Sequence, residues 1–191
     1  MFKRKLLLST TIVLVFLSVS CTEYTVVPLT WDLPPNPLYH HYPEINDNGW
    51  IVWHTSVSNL FGPYSISLFD GTRKTQIAEG SCFAPDINNT GWIVWCGSDG
   101  GGDYEIFLYD GTSTTQITEN DYSDVTPQIA DNGYVVWYGC DGGTGLGCTG
   151  GDWEIFLYDG ATITQLTNNF VDTEYFQAND HGPPCTFLWR T

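Results

Sequence analysis

The chain has 191 residues, of which 42% are hydrophobic and 15% aromatic, enough for a packed core and too apolar for a disordered tail. Only 15% are charged, and the formal net charge is −16, with just 6 Lys and Arg against 22 Asp and Glu. Half of the basic residues (Lys3, Arg4 and Lys5) sit at the start. The remainder therefore lacks the basic patch that phosphate recognition needs, and nucleic acid is excluded as an expected partner. Abundant Trp, Tyr, Phe, Ile, Val and Thr favour strands, so the expected class is all-β.

After the basic start, Leu6–Val19 is an apolar run of signal-peptide length, too short for a comfortable membrane span. It ends in Leu17-Ser-Val-Ser-Cys21, which resembles the lipobox of bacterial lipoprotein signals, with Ser18 where Leu is usual. The resemblance implies residues 1–21 as an export signal and Cys21 as the lipidated first residue of the mature protein. The alternative is ordinary cleavage, with Cys21 left as a thiol. The expected location is the bacterial cell envelope, lipid-anchored on the periplasmic or outer side. Residues 22–42 read as a Pro-rich tether in which Pro28-Leu29-Thr30 is a potential ring-closing strand.

From residue 43 the chain repeats itself. Ile45-Asn-Asp-Asn-Gly-Trp-Ile-Val-Trp53 returns as Ile87-Asn-Asn-Thr-Gly-Trp-Ile-Val-Trp95 and as Ile129-Ala-Asp-Asn-Gly-Tyr-Val-Val-Trp137. A weaker copy is Gln177-Ala-Asn-Asp-His-Gly182, leading to Trp189. Between the copies stand Ser65-Ile-Ser-Leu-Phe-Asp-Gly71, Glu105-Ile-Phe-Leu-Tyr-Asp-Gly111 and Glu154-Ile-Phe-Leu-Tyr-Asp-Gly160, each followed by a Thr-Gln-apolar strand. One repeat thus holds four short strands, A to D. Asn-Gly turns join A to B in the first and third repeats, and Asp-Gly turns join C to D. Four antiparallel strands per repeat, without helices, predict β-propeller blades over 43–191: three full repeats plus a partial fourth. Either a four-bladed ring or part of a larger propeller satisfies that count. An open last blade would favour self-association through its edge.

Ser98-Asp-Gly-Gly-Gly-Asp-Tyr-Glu-Ile-Phe-Leu-Tyr-Asp110, Gln116-Ile-Thr118 and Pro127-Gln-Ile-Ala-Asp-Asn-Gly133 together resemble the repeat of TolB-like propellers. That family comprises the periplasmic Tol-system protein and its extracytoplasmic relatives. The resemblance implies a propeller outside the cytoplasm. The domain that the Tol protein carries before its propeller has no visible counterpart here.

Several candidate sites remain. Cys82 and Cys96 lie nearly symmetrically about the Asn89-Thr90 turn, and Cys140 and Cys148 bracket a Gly-rich B–C loop. Both pairs are expected as disulfides in an oxidising compartment, leaving Cys185 odd. Asp99, Asp103 and Glu105, with Asp141, Asp152 and Glu154, are a calcium candidate on oxygen-ligand chemistry, although Asp and Gly also simply make hairpin loops. No cofactor is otherwise expected. Gly145-Leu-Gly-Cys-Thr-Gly150 matches a dinucleotide-binding string without the helix that gives it meaning. His40, His41, His54 and His181 suggest no triad, and no catalytic residue is assigned. His54 stands where Cys96 and Tyr138 stand in the other repeats. The recurring Trp53, Trp95, Trp137 and Trp189 are expected in the packing between blades. These features point to a non-enzymatic binding or scaffold module with an envelope protein as partner. The alternatives are the propeller part of an extracytoplasmic peptidase or glycan-active enzyme, and a carbohydrate-binding propeller.

Overall fold

The computed structural model describes residues 14–15, 27–28, 38–57, 64–143, 148–168 and 178, the first four by their backbone alone. It is all-β. Twelve strands form three four-stranded antiparallel sheets, each a meander in chain order. The first blade contains β3 (Tyr39–Ile45), β4 (Ile51–Ser56), β5 (Tyr64–Phe69) and β6 (Lys74–Gly80). The second contains β7 (Cys82–Ile87), β8 (Ile93–Gly97), β9 (Glu105–Tyr109) and β10 (Thr114–Gln116). The third contains β11 (Asp124–Ile129), β12 (Val135–Asp141), β13 (Asp152–Tyr158) and β14 (Ile163–Gln165). Strand A of the first blade begins at Tyr39, inside the segment read as a tether. The two short remaining strands, β1 (Leu14–Val15) and β2 (Val27–Pro28), pair with each other. Pro28 thus pairs with Leu14 rather than with a blade, while Leu29 and Thr30 lie outside the described residues.

Successive side chains of strand B point to opposite faces, and each face is buried against a different neighbour. Ile93 and Trp95 pack against Val52, Ile66 and Leu68 of the first blade. Val94 and Cys96, on the other face, pack against Ile129, Val135 and Trp137 of the third. This explains why the first three residues of strand B are apolar in every blade rather than alternating. The expectation for the tryptophans holds for Trp95 and Trp137, which lie in these inter-blade cores. Each stacks on the phenylalanine across its own sheet, Trp95 on Phe107 at 5.9 Å and Trp137 on Phe156 at 6.0 Å. Trp189 lies outside the described residues.

The repeat length has a physical reading at the A–B turns. Asn46 Oδ1 accepts from the N–H groups of Asn48 and Trp50, which closes its own turn. Its Nδ2 donates to the Asn88 carbonyl one repeat later at 2.9 Å. Asn88 does the same, reaching the Ala130 carbonyl at 3.1 Å. Beside this ladder, the Asp47 N–H donates to Asn89 Oδ1 and the Asn89 N–H to Asp131 Oδ1, both at 2.7 Å. One short side chain therefore locks its turn and registers the next blade. The glycines ending the second and third of these turns are needed twice over. Gly91 has φ +87°, and a Cβ there would lie 2.5 Å from the Trp50 ring of the preceding blade. Gly133 repeats the arrangement under Trp92.

Candidate functional site

Strand A carries the feature that shapes the molecule's axis. Pro43, Pro85 and Pro127 recur two residues before Ile45, Ile87 and Ile129. A proline cannot donate to the ladder, so pairing skips there and a β-bulge forms. Tyr42 with Pro43 opposes Trp53, Ala84 with Pro85 opposes Trp95, and Thr126 with Pro127 opposes Trp137. The residue before each proline is held at positive φ: 50° at Tyr42, 50° at Ala84 and 55° at Thr126. Non-glycine residues rarely adopt that region, and a following proline favours extended backbone instead. Strain of this kind persists where surrounding structure holds it, and it gathers at functional sites.

All three bulges line one cavity of about 430 Å³. Its wall includes Glu44, Asp86 and Gln128 at equivalent places in the three blades, and it contains no Lys or Arg among the described residues. Asp86 Oδ2 accepts from the Ile129 N–H at 2.8 Å, tying the second strand A to the third. Gln128 Oε1 accepts from the Ala178 N–H, also at 2.8 Å. Ala178 thus stands to the third blade as Ile129 stands to the second. The cavity's Ile45, Ile87 and Ile129 also border the turn ladder, where Asn89 Nδ2 donates to Asp47 Oδ2 at 3.1 Å and to Asp131 Oδ2 at 2.8 Å. The arrangement is an acidic, strand-lined channel that can accept a polar or positively charged segment. Among its described lining residues no nucleophile is aligned with a base.

The predicted sites fall out differently. Cys140 and Cys148 are joined, with Cα atoms 5.2 Å apart, and close the Gly-rich loop. Cys82 and Cys96 are free, which corrects the expectation for that pair. Cys82 pairs with Gly97, and Phe83 with Cys96, so the two cysteines are one residue out of register. A one-residue offset places side chains on opposite faces: Cys82 lies in the core shared with the first blade and Cys96 in the core shared with the third. Burial pushes their thiols up to about 11 and about 12, so both are inert at neutral pH. Cys21 and Cys185 lie outside the described residues.

The loop carboxylates do not converge as a set. Asp99 accepts from its own loop at the Gly101 N–H, and Asp141 accepts from Gln165. Glu105 and Glu154 are buried, Glu105 receiving Thr118 Oγ1 at 2.5 Å and the Asn120 N–H at 2.9 Å. Burial, reinforced by the nearby Asp124 and Asp103 charges, raises Glu105 to about 7. Asp124, buried between Asn120 and the Trp137 indole, is raised to about 6 by desolvation. Asp103 is buried beside them, and Asp152 lies at the start of β13.

Sequence reading missed the three prolines, although their recurrence at the repeat spacing was a visible signal. It also missed the company His54 keeps, because strand pairing alone brings His41 opposite His54.

Comparison with known proteins returned no matching family model and no matching curated protein. Solved structures do match. A putative TolB from Agrobacterium tumefaciens superposes with a TM-score of 0.54 at 22% identity, over 76% of this chain and 53% of that one. TolB from Acinetobacter baumannii gives 0.50 at 18%, over 70% and 33%. The blades have the β-propeller fold that these structures share. Pyrococcus horikoshii acylaminoacyl peptidase also matches, at 0.54 and 15% identity, over 83% of this chain and 24% of that one. The chain therefore spans about a quarter to a half of the structures it matches, and at these identities the likeness concerns the fold.

Proposed function

We propose that this propeller is a non-enzymatic binding module of the bacterial envelope, held there by lipid on Cys21. In this reading it docks a segment of another envelope protein in its axial channel. The observation carrying the reading is the set of three strained Xaa-Pro bulges, repeated blade by blade, that line one acidic channel. Backbone held in costly conformations at the same place in every blade is preorganised for contact rather than for packing. The acidic wall favours a segment presenting positive charge. The Cys140–Cys148 bond supports an oxidising compartment. Photocrosslinking tests the reading directly. Benzoylphenylalanine at Thr126, on the channel wall, should give a discrete adduct with a second envelope protein in cells. The same group at Thr112, on the exposed C–D turn of the second blade, should not. Equal labelling from both positions, or none from Thr126, would reject the channel as the docking site.

The match to part of a peptidase supports a second reading, in which this propeller belongs to an extracytoplasmic enzyme whose catalytic residues lie outside it. Peptide hydrolysis by the native gene product that disappears on removing flanking sequence would favour that reading.

A further inference from the structure

We propose that His41 and His54 of the first blade form a two-imidazole site for a divalent transition-metal ion such as copper(II) or zinc(II). The residues are directly opposite each other on β3 and β4. Their ring centres are 5.2 Å apart. An imidazole nitrogen sits about 2.0–2.1 Å from bound zinc, so two rings ligating at a tetrahedral angle have centres roughly 5 Å apart. The observed separation suits one shared ion.

A second observation points to a ligand. His54 is only 4% exposed, yet its Nδ1 has no hydrogen-bond partner. A buried ring nitrogen left unpaired is costly, and a metal ion is one of the partners it accepts. The His54 ring lies in a pocket formed by its strand neighbours. Its walls are aromatic: Tyr42 stacks on it at 5.3 Å and Tyr64 meets it edge-on at 5.6 Å. Tyr42 is 65% exposed, so the site borders solvent and an ion can enter.

The pair is peculiar to the first blade. Phe83 faces Cys96 in the second and Val125 faces Tyr138 in the third. A residue pair that interrupts the repeat at one blade is not explained by blade packing, which the other two blades achieve without it. Among the described residues no group of three His, Cys, Asp or Glu surrounds an ion position. The remaining coordination positions would therefore be taken by water or by a donor from a bound partner. Imidazole suits zinc, copper and nickel, whereas calcium wants oxygen.

Titration calorimetry of the intact chain with copper(II) alone should give one ion per chain. His41→Ala, or His54→Tyr (the residue of the third blade), should weaken binding at least tenfold. His40→Ala, whose ring bonds Thr55, should leave it within twofold. The electron paramagnetic resonance spectrum of the copper-loaded parent should show two imidazole nitrogens, a readout that does not depend on any variant folding. Absence of binding, wild-type affinity in His41→Ala, or a spectrum with fewer than two nitrogens would overturn the site.

Discussion

The first and second blades share one strand plan but finish it by different chemistry. In the second, Glu105 and Thr118 are both fully buried, and the Thr118 hydroxyl receives the Ile106 N–H at 2.8 Å while donating to Glu105. Strand D stops at Gln116, and Glu105 holds the departing loop through the Asn120 N–H. In the first blade the equivalent residues are Ser65 and Ala78. Serine replaces the carboxylate and alanine the threonine hydroxyl, and β6 instead continues to Gly80, pairing Ala78 with Ile66, Glu79 with Ser65 and Gly80 with Tyr64. The third blade follows the second, with Thr167 Oγ1 receiving the Ile155 N–H. The difference shows that the Glu–Thr pair is a side-chain substitute for three further rungs of sheet. Its members should stand or fall together, because either alone leaves a buried polar group unpaired.

That coupling predicts the largest effect. Thr118→Ala should destabilise by about 3 kcal/mol, because it strips both the Ile106 N–H and the buried Glu105 of a partner. Adding Glu105→Ser, which gives the second blade the first blade's pair, should recover more than half of the loss. Urea denaturation of the two single variants and the double variant measures this, and strictly additive losses would break the comparison.

Gly91→Ala tests how tightly the two blades are seated on each other. Positive φ and the Trp50 ring together should cost about 2 kcal/mol. In a Trp50→Ala background the cost should fall to the backbone part, about 1 kcal/mol. An equal cost in both backgrounds would mean that the Trp50 contact contributes nothing.

The pH dependence sharpens the difference between the blades. Glu105 binds its proton more tightly folded than unfolded, rising from its ordinary 4.5 to about 7. The resulting stabilisation is complete below the ordinary value and is lost as pH rises through the folded one. Glu105→Gln removes that loss, so the variant should gain on the parent by roughly 2 kcal/mol between pH 5 and pH 8. Denaturation midpoints across that range give the comparison, and a constant offset would contradict it. At the ladder joining the blades, Asn89→Ala should cost about 1 kcal/mol in thermal melts.

Much of the fold was legible because its signals are local. The repeat copies begin at Ile45, Ile87 and Ile129, and strand A ends at those three residues. The Asp-Gly turns form as read, Asp70 accepting from the Thr72 and Arg73 N–H groups and Asp110 from those of Thr112 and Ser113. Turn residues act within four positions, so composition is enough to find them. The channel was less legible, because its residues come from three strands separated by whole repeats. The Cys82–Cys96 expectation failed on a single residue of register, which the bulge at Ala84-Pro85 alters and simple symmetry about the turn ignores.

The sequence by itself determined the class, the repeat, the strand order and the Cys140–Cys148 closure, since each rests on spacing along the chain. Only the tertiary structure decided which face each strand residue presents, because that depends on register and register depends on bulges. It sent Cys82 and Cys96 into different cores, buried Glu105 with Thr118, and set His41 against His54. It also brought the three Xaa-Pro bulges to one cavity. Each of these is a contact between strands, and its free energy depends on what the rest of the chain excludes from water around it.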